Sequence, residues 1–271
     1  MGTSSTAASE LHPRVAAMGD RFGAGSLTGW PSPDDGDFFA RLRWRAKMIT
    51  PAAERVSANP EWMHRALNVT VAVVALVLLA PLYIALAVAI RLSSPGPIIY
   101  TQTRVGLDRR WRRAATDGSR RTEDLGGRVF TMYKFRSMRC DAESTGQAVW
   151  ASKDDPRVTA IGGILRKFRL DELPQLWNVL RGDMNIVGPR PERPSIFLTL
   201  RNQVDNYQVR QRVRPGITGW AQINQAYDSS VDDVRRKVAL DLEYIRDRSV
   251  WKDLVIMART IPVMIGRKGA H

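Results

Sequence analysis

The chain has 271 residues, enough for one buried core and one catalytic domain with a tail, and carries a formal net charge of +14. A field of that sign attracts nucleic acid, anionic lipid or phosphate-bearing substrates, and charge alone does not choose among them. Cys140 is the only cysteine, which excludes an internal disulfide. His12, His64 and His271 have no zinc-ligand spacing, and neither a Walker A pattern nor a Gly-x-Gly-x-x-Gly loop occurs.

Residues 1–36 are rich in Gly, Ser, Ala, Pro and Asp without apolar periodicity, which predicts a disordered leader; no apolar stretch makes it a secretory signal. Residues 37–65 read as a basic amphipathic segment. Within it Phe38, Phe39, Leu42, Ala46 and Ile49 recur at helical spacing between Arg41, Arg43, Arg45 and Lys47. A short helix resting on anionic lipid and a surface helix packed on the domain both fit that pattern.

Ala66 to Ile90 is a run of 25 residues without a charge, long enough to cross a bilayer at ~1.5 Å rise per residue. Pro81 interrupts it, and proline inside a helix removes a hydrogen bond and bends the axis. Arginines flank both ends, Arg55 and Arg65 before it, Arg91 and Arg104 after it, so both ends favour the cytoplasmic side. The segment 66–92 is therefore expected to be a re-entrant helix bent at Pro81. A helix buried in a soluble core is disfavoured by its scarcity of polar positions.

Ser93–Pro97 (SSPGP) stops the helix. Ile98–Val105 and Arg128–Met138 read as short strands. Residues 101–140, which include the polar loop between them, hold ten Arg and one Lys against four acids. Beyond Arg157 short helices and loops are expected. Val231, Val234, Val238, Leu242 and Ile245 form one helical stripe, and Val250–Ile265 is a last apolar helix that fits a core or an interface. The fold class expected is α+β and membrane-associated: a re-entrant helix, interfacial amphipathic helices, and a compact catalytic domain over 93–271 with a few short strands.

The densest chemistry lies between Arg166 and Pro194. Asp171 and Glu172 precede a helix whose apolar face is Leu173, Leu176, Trp177 and Leu180, with Gly182 as its stop and Pro174 in its first turn. Asp171 is thus expected at or next to the N-cap, where a helix favours an anion. An acid there also serves stability alone. Arg166, Lys167 and Arg169 precede the pair, and Arg190 and Arg193 follow in a loop stiffened by Pro189, Pro191 and Pro194. Guanidinium groups suit bidentate phosphate binding. Two adjacent carboxylates can hold Mg²⁺ together with phosphate oxygens, or divide the roles of nucleophile and metal ligand. The pattern points to phosphoryl transfer.

RVG at 104–106, FTMYKFRSM at 130–138, RLDELPQLWNVLRGDMNIVGPRP at 169–191 and RPGITGWAQIN at 214–224 resemble the bacterial sugar transferase family, the monotopic phosphoglycosyl transferases. The resemblance covers roughly residues 62–266. It implies a catalytic domain on the cytoplasmic face of the bacterial inner membrane, which starts exopolysaccharide, capsule, O-antigen or glycoprotein glycan assembly. By the same resemblance Asp171 attacks the β-phosphate of a UDP-sugar and expels UMP, and undecaprenyl phosphate then takes the phosphosugar from the aspartate. Glu172 matches the second member of the family's dyad, with a role in Mg²⁺ or proton handling. Lys134 and Arg166 match basic positions near the phosphates, with Arg136 in the same KFR stretch. Arg190 matches the proline-flanked arginine and Asp241 an acidic position of the C-terminal Leu-Asp-x-x-Tyr pattern. For Lys134 an interface anchor, and for Asp241 a surface salt bridge, remain open.

Two departures bear on the substrate: a longer basic loop from Asp108, and QAYDSS after Asn224 where the family often has Gly-Arg. The sugar is therefore left unnamed, as is the oligomeric state, a homodimer included. A non-catalytic module for anionic lipid is the alternative expectation. Nucleic acid is not an expected partner, because no recognition helix or aromatic stacking platform accompanies the arginines.

Overall fold

A computed structural model describes residues 59–109, 124–140, 155–225 and 230–265. The expected leader, the amphipathic helix near 37–49, most of the basic loop and the centre of QAYDSS lie outside the described residues.

The uncharged run forms two helices, α1 (Glu61–Leu78) and α2 (Ala80–Ser93), divided at Leu79. Pro81 sits in the first turn of α2, where a missing N–H is tolerated. The helical segment also begins earlier than its apolar run, because its charged first turn is used. Arg65 donates from Nη1 and Nη2 to the carbonyls of Val179 and Leu180. His64, Asn68 and Ala72, four residues apart, are buried on one face. The Nδ1 of His64 lies 2.8 Å from the Asp253 carboxylate, to which Tyr244 also donates at 2.7 Å. The other face is apolar and open: Trp62, Val74, Val77 and Leu78 on α1, and Ile84, Val88 and Leu92 on α2. By length and composition α1 is apolar enough to cross a membrane. The inner face of α2 buries Leu86 and Ile90 against Phe135 and Leu165.

Strands β1 (Ile99–Val105) and β2 (Val129–Phe135) pair antiparallel, Ile99 opposite Phe135 and Val105 opposite Val129. Alternation turns Phe130 and Met132 inward. Helix α3 (Ala160–Lys167) is capped by the Thr159 hydroxyl and leads to the carboxylate pair. Helix α4 (Gln175–Arg181) ends at Gly182, whose φ of 83° is the left-handed cap expected of a glycine stop.

Two of the motif segments then meet. Strands β3 (Asn185–Val187) and β4 (Gly216–Thr218) pair in parallel. Glycine is required where they join: a Cβ on Gly216 would stand 2.1 Å from the Gly188 nitrogen, and one on Gly188 would stand 2.4 Å from the Arg214 carbonyl. Helices α5 (Pro194–Gln203), α6 (Trp220–Asn224), α7 (Val231–Arg246) and α8 (Val250–Ile265) complete the domain. The predicted stripe of α7 is buried from Val234 to Ile245, whereas Val231 is exposed. Helix α8 packs one face in the core. It buries Ile256 and Asp253 and leaves Trp251, Leu254 and Ile261 open.

Candidate active site

Asp171 and Glu172 lie in a 3₁₀ turn, Leu170–Glu172, entered from Arg169 in a left-handed conformation (φ 53°). This corrects the expected N-cap placement. Helix α4 starts only at Gln175, with Pro174 as its N-cap residue. The residues ahead of it close i→i+3 bonds instead: Glu172 N–H donates to the Arg169 carbonyl and Leu173 N–H to the Leu170 carbonyl. Tyr83 of α2 fixes the turn by donating its hydroxyl to the Leu173 carbonyl at 2.6 Å. Both carboxylates are buried in consequence.

The cations that meet them come from two directions. Lys134 shares a strand face with Phe130 and Met132, so the alternation that builds the core points its ammonium at the turn. It stands 3.2 Å from Glu172 Oε1 and 3.6 Å from Asp171 Oδ2. The alignment is held by Asn178 of α4, which accepts from Tyr133 N–H at 3.0 Å and donates to the Thr131 carbonyl at 2.7 Å. From the proline-rich loop, Arg190 Nη2 reaches the same Glu172 oxygen at 2.7 Å. Arg166, in the last turn of α3, acts on Asp171 through its charge.

The two acids are unequal. Burial alone would raise Glu172, but Arg190 and Lys134 overcome it and hold the carboxyl far below its ordinary range. Asp171 goes the other way: burial raises it, the Glu172 charge adds to the rise, and Lys134 and Arg190 offset only part. An ionised anchor thus stands beside a more basic carboxylate.

Two expected phosphate ligands are placed elsewhere. Arg136 is buried and donates to the carbonyls of Ile90, Ser94 and Pro95, closing the C-terminal end of α2. The orphan carbonyls of a helix end explain its capture there. Asp241 lies in the interior and is paired with Arg210 Nε at 2.7 Å, both side chains nearly inaccessible. Burial raises its pKa against the pull of Arg210, as expected of a desolvated structural pair rather than a substrate contact.

That pair nevertheless serves the site. Prolines remove donors from the loop after Gly188, and the neighbours hold each of its carbonyls. Pro189 accepts from Gly216 N–H, Arg190 from Arg210, Pro191 from Arg104, and Glu192 from Val105 N–H. The Glu192 side chain pairs with Lys237 at 2.9 Å. The backbone of Arg190 is thereby fixed. Arg210 had no motif to mark it; its bonds to the Asp241 carboxylate and the Arg190 carbonyl reveal the part it plays.

For Mg²⁺ the donor set is modest. Among the described residues no group of three or more His, Cys, Asp or Glu could hold a metal. The carboxylates of Asp171 and Glu172 remain, which fits an ion that keeps water and substrate phosphate as its other ligands.

The profile of the family described as Bacterial sugar transferase matches residues 59–267. The chain belongs to the bacterial sugar transferase family. Among its curated relatives, a UDP-N-acetylgalactosamine-undecaprenyl-phosphate N-acetylgalactosaminephosphotransferase of Aeromonas hydrophila is 40% identical over 210 residues, 78% of this chain and 45% of that protein. A UDP-glucose:undecaprenyl-phosphate glucose-1-phosphate transferase of Escherichia coli (strain K12) is 40% identical over 201 residues, 73% of this chain and 39% of that protein. A Caulobacter vibrioides protein of the same name is 38% identical over 209 residues, 76% of this chain and 71% of that protein. The chain thus spans less than half the length of the first two. All the elements that build the carboxylate pair lie inside the region matched to the bacterial sugar transferases.

Proposed function

We propose that the chain is a phosphoglycosyl transferase that moves a sugar-1-phosphate from a UDP-sugar to undecaprenyl phosphate and releases UMP. The names of its relatives support the acceptor and the reaction class; they differ in the sugar. The observation that carries the reading is the inequality of the dyad: Lys134 and Arg190 converge on one oxygen of Glu172, and Asp171 beside it is left the more basic carboxylate.

In the first step an Asp171 oxygen forms a bond to the β-phosphorus of the UDP-sugar. The bond from that phosphorus to the bridging oxygen breaks, and UMP leaves with the electron pair. In the second step a phosphate oxygen of undecaprenyl phosphate bonds to the same phosphorus, and the Asp171 carboxylate departs unchanged. Arg190 and Lys134 face the charge that develops on the phosphoryl oxygens, held in place before the reaction. Asp171 and Glu172 would hold Mg²⁺, which supplies further charge neutralisation at the diphosphate.

The reading includes a topology. The helices α1 and α2 form a re-entrant pair in the cytoplasmic face of the bacterial inner membrane, supported by the break at Leu79 and the open apolar faces. The outer face of α8 lies at the interface. In a Cys140→Ser background, cysteine labels at Asn59 and Ser94 should react from one side of the membrane; reaction from opposite sides would require a spanning helix.

The reaction is tested by UMP release from a panel of UDP-sugars with Mg²⁺, using protein in lipid nanodiscs with and without undecaprenyl phosphate. Lipid-dependent turnover that Asp171→Asn abolishes is the expected result. Silence across the panel with folded protein would favour a non-catalytic lipid-binding module.

A further inference from the structure

A cavity of about 260 Å³ opens beside the first turn of α1, away from the carboxylate pair. Four arginines line it, Arg109, Arg212, Arg214 and Arg248, against one carboxylate, Glu61. That carboxylate is shared: Oε1 accepts from Arg214 at 2.6 Å and Oε2 from Arg248 at 2.9 Å. Arg109 and Arg212 add two more guanidinium groups to the wall. Arg214 feels the crowding. Burial lowers its pKa first, and the charges of Arg65, Arg109 and Arg248 add to the fall although Glu61 opposes it.

A structural role explains part of this wall. Arg214 donates from Nε to the Gly182 carbonyl at 3.0 Å, which satisfies the end of α4 and fixes the cavity's position in the fold. None of Lys134, Asp171, Glu172 and Arg190 is among the residues that line the cavity. A ligand in the cavity therefore does not touch Asp171. Its volume is below the range of about 300–1,000 Å³ usual for small-molecule pockets and suits a compact anion better than a whole nucleotide sugar.

We propose that this cavity is a second anion site, separate from the Asp171 centre, that holds one phosphate group between the guanidinium groups of Arg109, Arg212, Arg214 and Arg248. Planar guanidinium groups match phosphate oxygens in pairs. The phosphate can belong to a lipid headgroup, since Trp62 next to Glu61 is 69% exposed on the apolar face, or to a soluble ion.

The test uses the full chain in neutral-lipid nanodiscs, with Asp171→Asn and Arg190→Gln together silencing the catalytic centre. Inorganic phosphate is compared with chloride at matched ionic strength, and phosphatidylglycerol is exchanged for phosphatidylcholine in a second arm. The silenced protein should gain thermal stability with one of the two phosphate sources. Adding Arg109→Gln and Arg212→Gln should weaken that response about tenfold in ligand concentration. Arg109→Gln alone, at an exposed position, should give the same trend with a Tm in chloride within about 2 °C of its parent. A response to phosphatidylglycerol alone assigns the site to a headgroup, and a response to free phosphate assigns it to a soluble ion. A response unchanged by the arginine replacements, one already absent in the silenced protein, or none in either arm overturns the proposal.

Discussion

Among the described residues, two of the buried clusters of acids and cations differ in how closely their charges are paired. Around Asp241, Arg210, Glu192 and Lys237 the charges meet in the interior: Arg210 with Asp241 at 2.7 Å, Lys237 with Glu192 at 2.9 Å. Around Asp171 and Glu172 the same residue types leave a mismatch. Glu172 takes the close contacts of Lys134 and Arg190, while Asp171 has Lys134 at 3.6 Å; burial raises the pKa of Asp171 and of Asp241 alike, so the contrast lies in the longer ion pair. Arg190, at 30% side-chain exposure, is the most open of these groups. Scaffold and site thus differ in how far the fold completes the neutralisation. An acid left more basic beside an ionised partner suits the nucleophile that the proposed reaction requires.

The largest expected effect breaks the comparison at its reactive side. Asp171→Asn should cut UMP release by roughly 10³-fold or more. Because burial disfavours the ionised carboxylate, the same variant should melt no lower than the parent at pH 7. In the other cluster the balance reverses. Arg210→Met strands Asp241 in the interior and should cost about 3–5 kcal/mol of stability, read from denaturant midpoints. Activity should follow the folded fraction and the loosened Arg190 loop.

Two smaller effects sharpen the contrast through pH. In the proposed mechanism attack requires ionised Asp171, whose pKa burial raises, so the acid limb of kcat should lie at higher pH than an unperturbed aspartate would give. Lys134→Met removes a cation that lowers that pKa and should move the limb to still higher pH. Glu192 titrates oppositely. Burial would raise it, but Lys237 and Arg210 bring it down from 4.5 to about 2. Its contribution to stability is complete above about pH 4.5 and is lost as pH falls toward 2; Lys237→Met should flatten that part of the Tm profile.

Much of this site could be read in the sequence where residue type and position carry the same message. Gly182 stops a helix because only a left-handed residue suits that position, and Lys134 follows two inward-facing residues at strand spacing. Arg136 misled because basic residues two apart on a strand look alike in text, although here a helix end captures one of them. Asp241 misled because an acid on an amphipathic helix reads as exposed; its partner Arg210 is 31 residues away, and nothing local announces the pair. The N-cap placement of Asp171 failed because Pro174 delays the helix and a 3₁₀ turn fills the gap. Bonds across long sequence separations are what the linear pattern does not encode.

The central claim is that Asp171 carries the phosphosugar. The direct measurement is mass analysis of the protein after exposure to its UDP-sugar and Mg²⁺ without undecaprenyl phosphate. A phosphosugar adduct on the peptide containing Asp171, formed with one UMP per adduct and discharged when the lipid is added, is the predicted result. Full turnover upon mixing donor and lipid, with no adduct and no UMP before the lipid arrives, would contradict it.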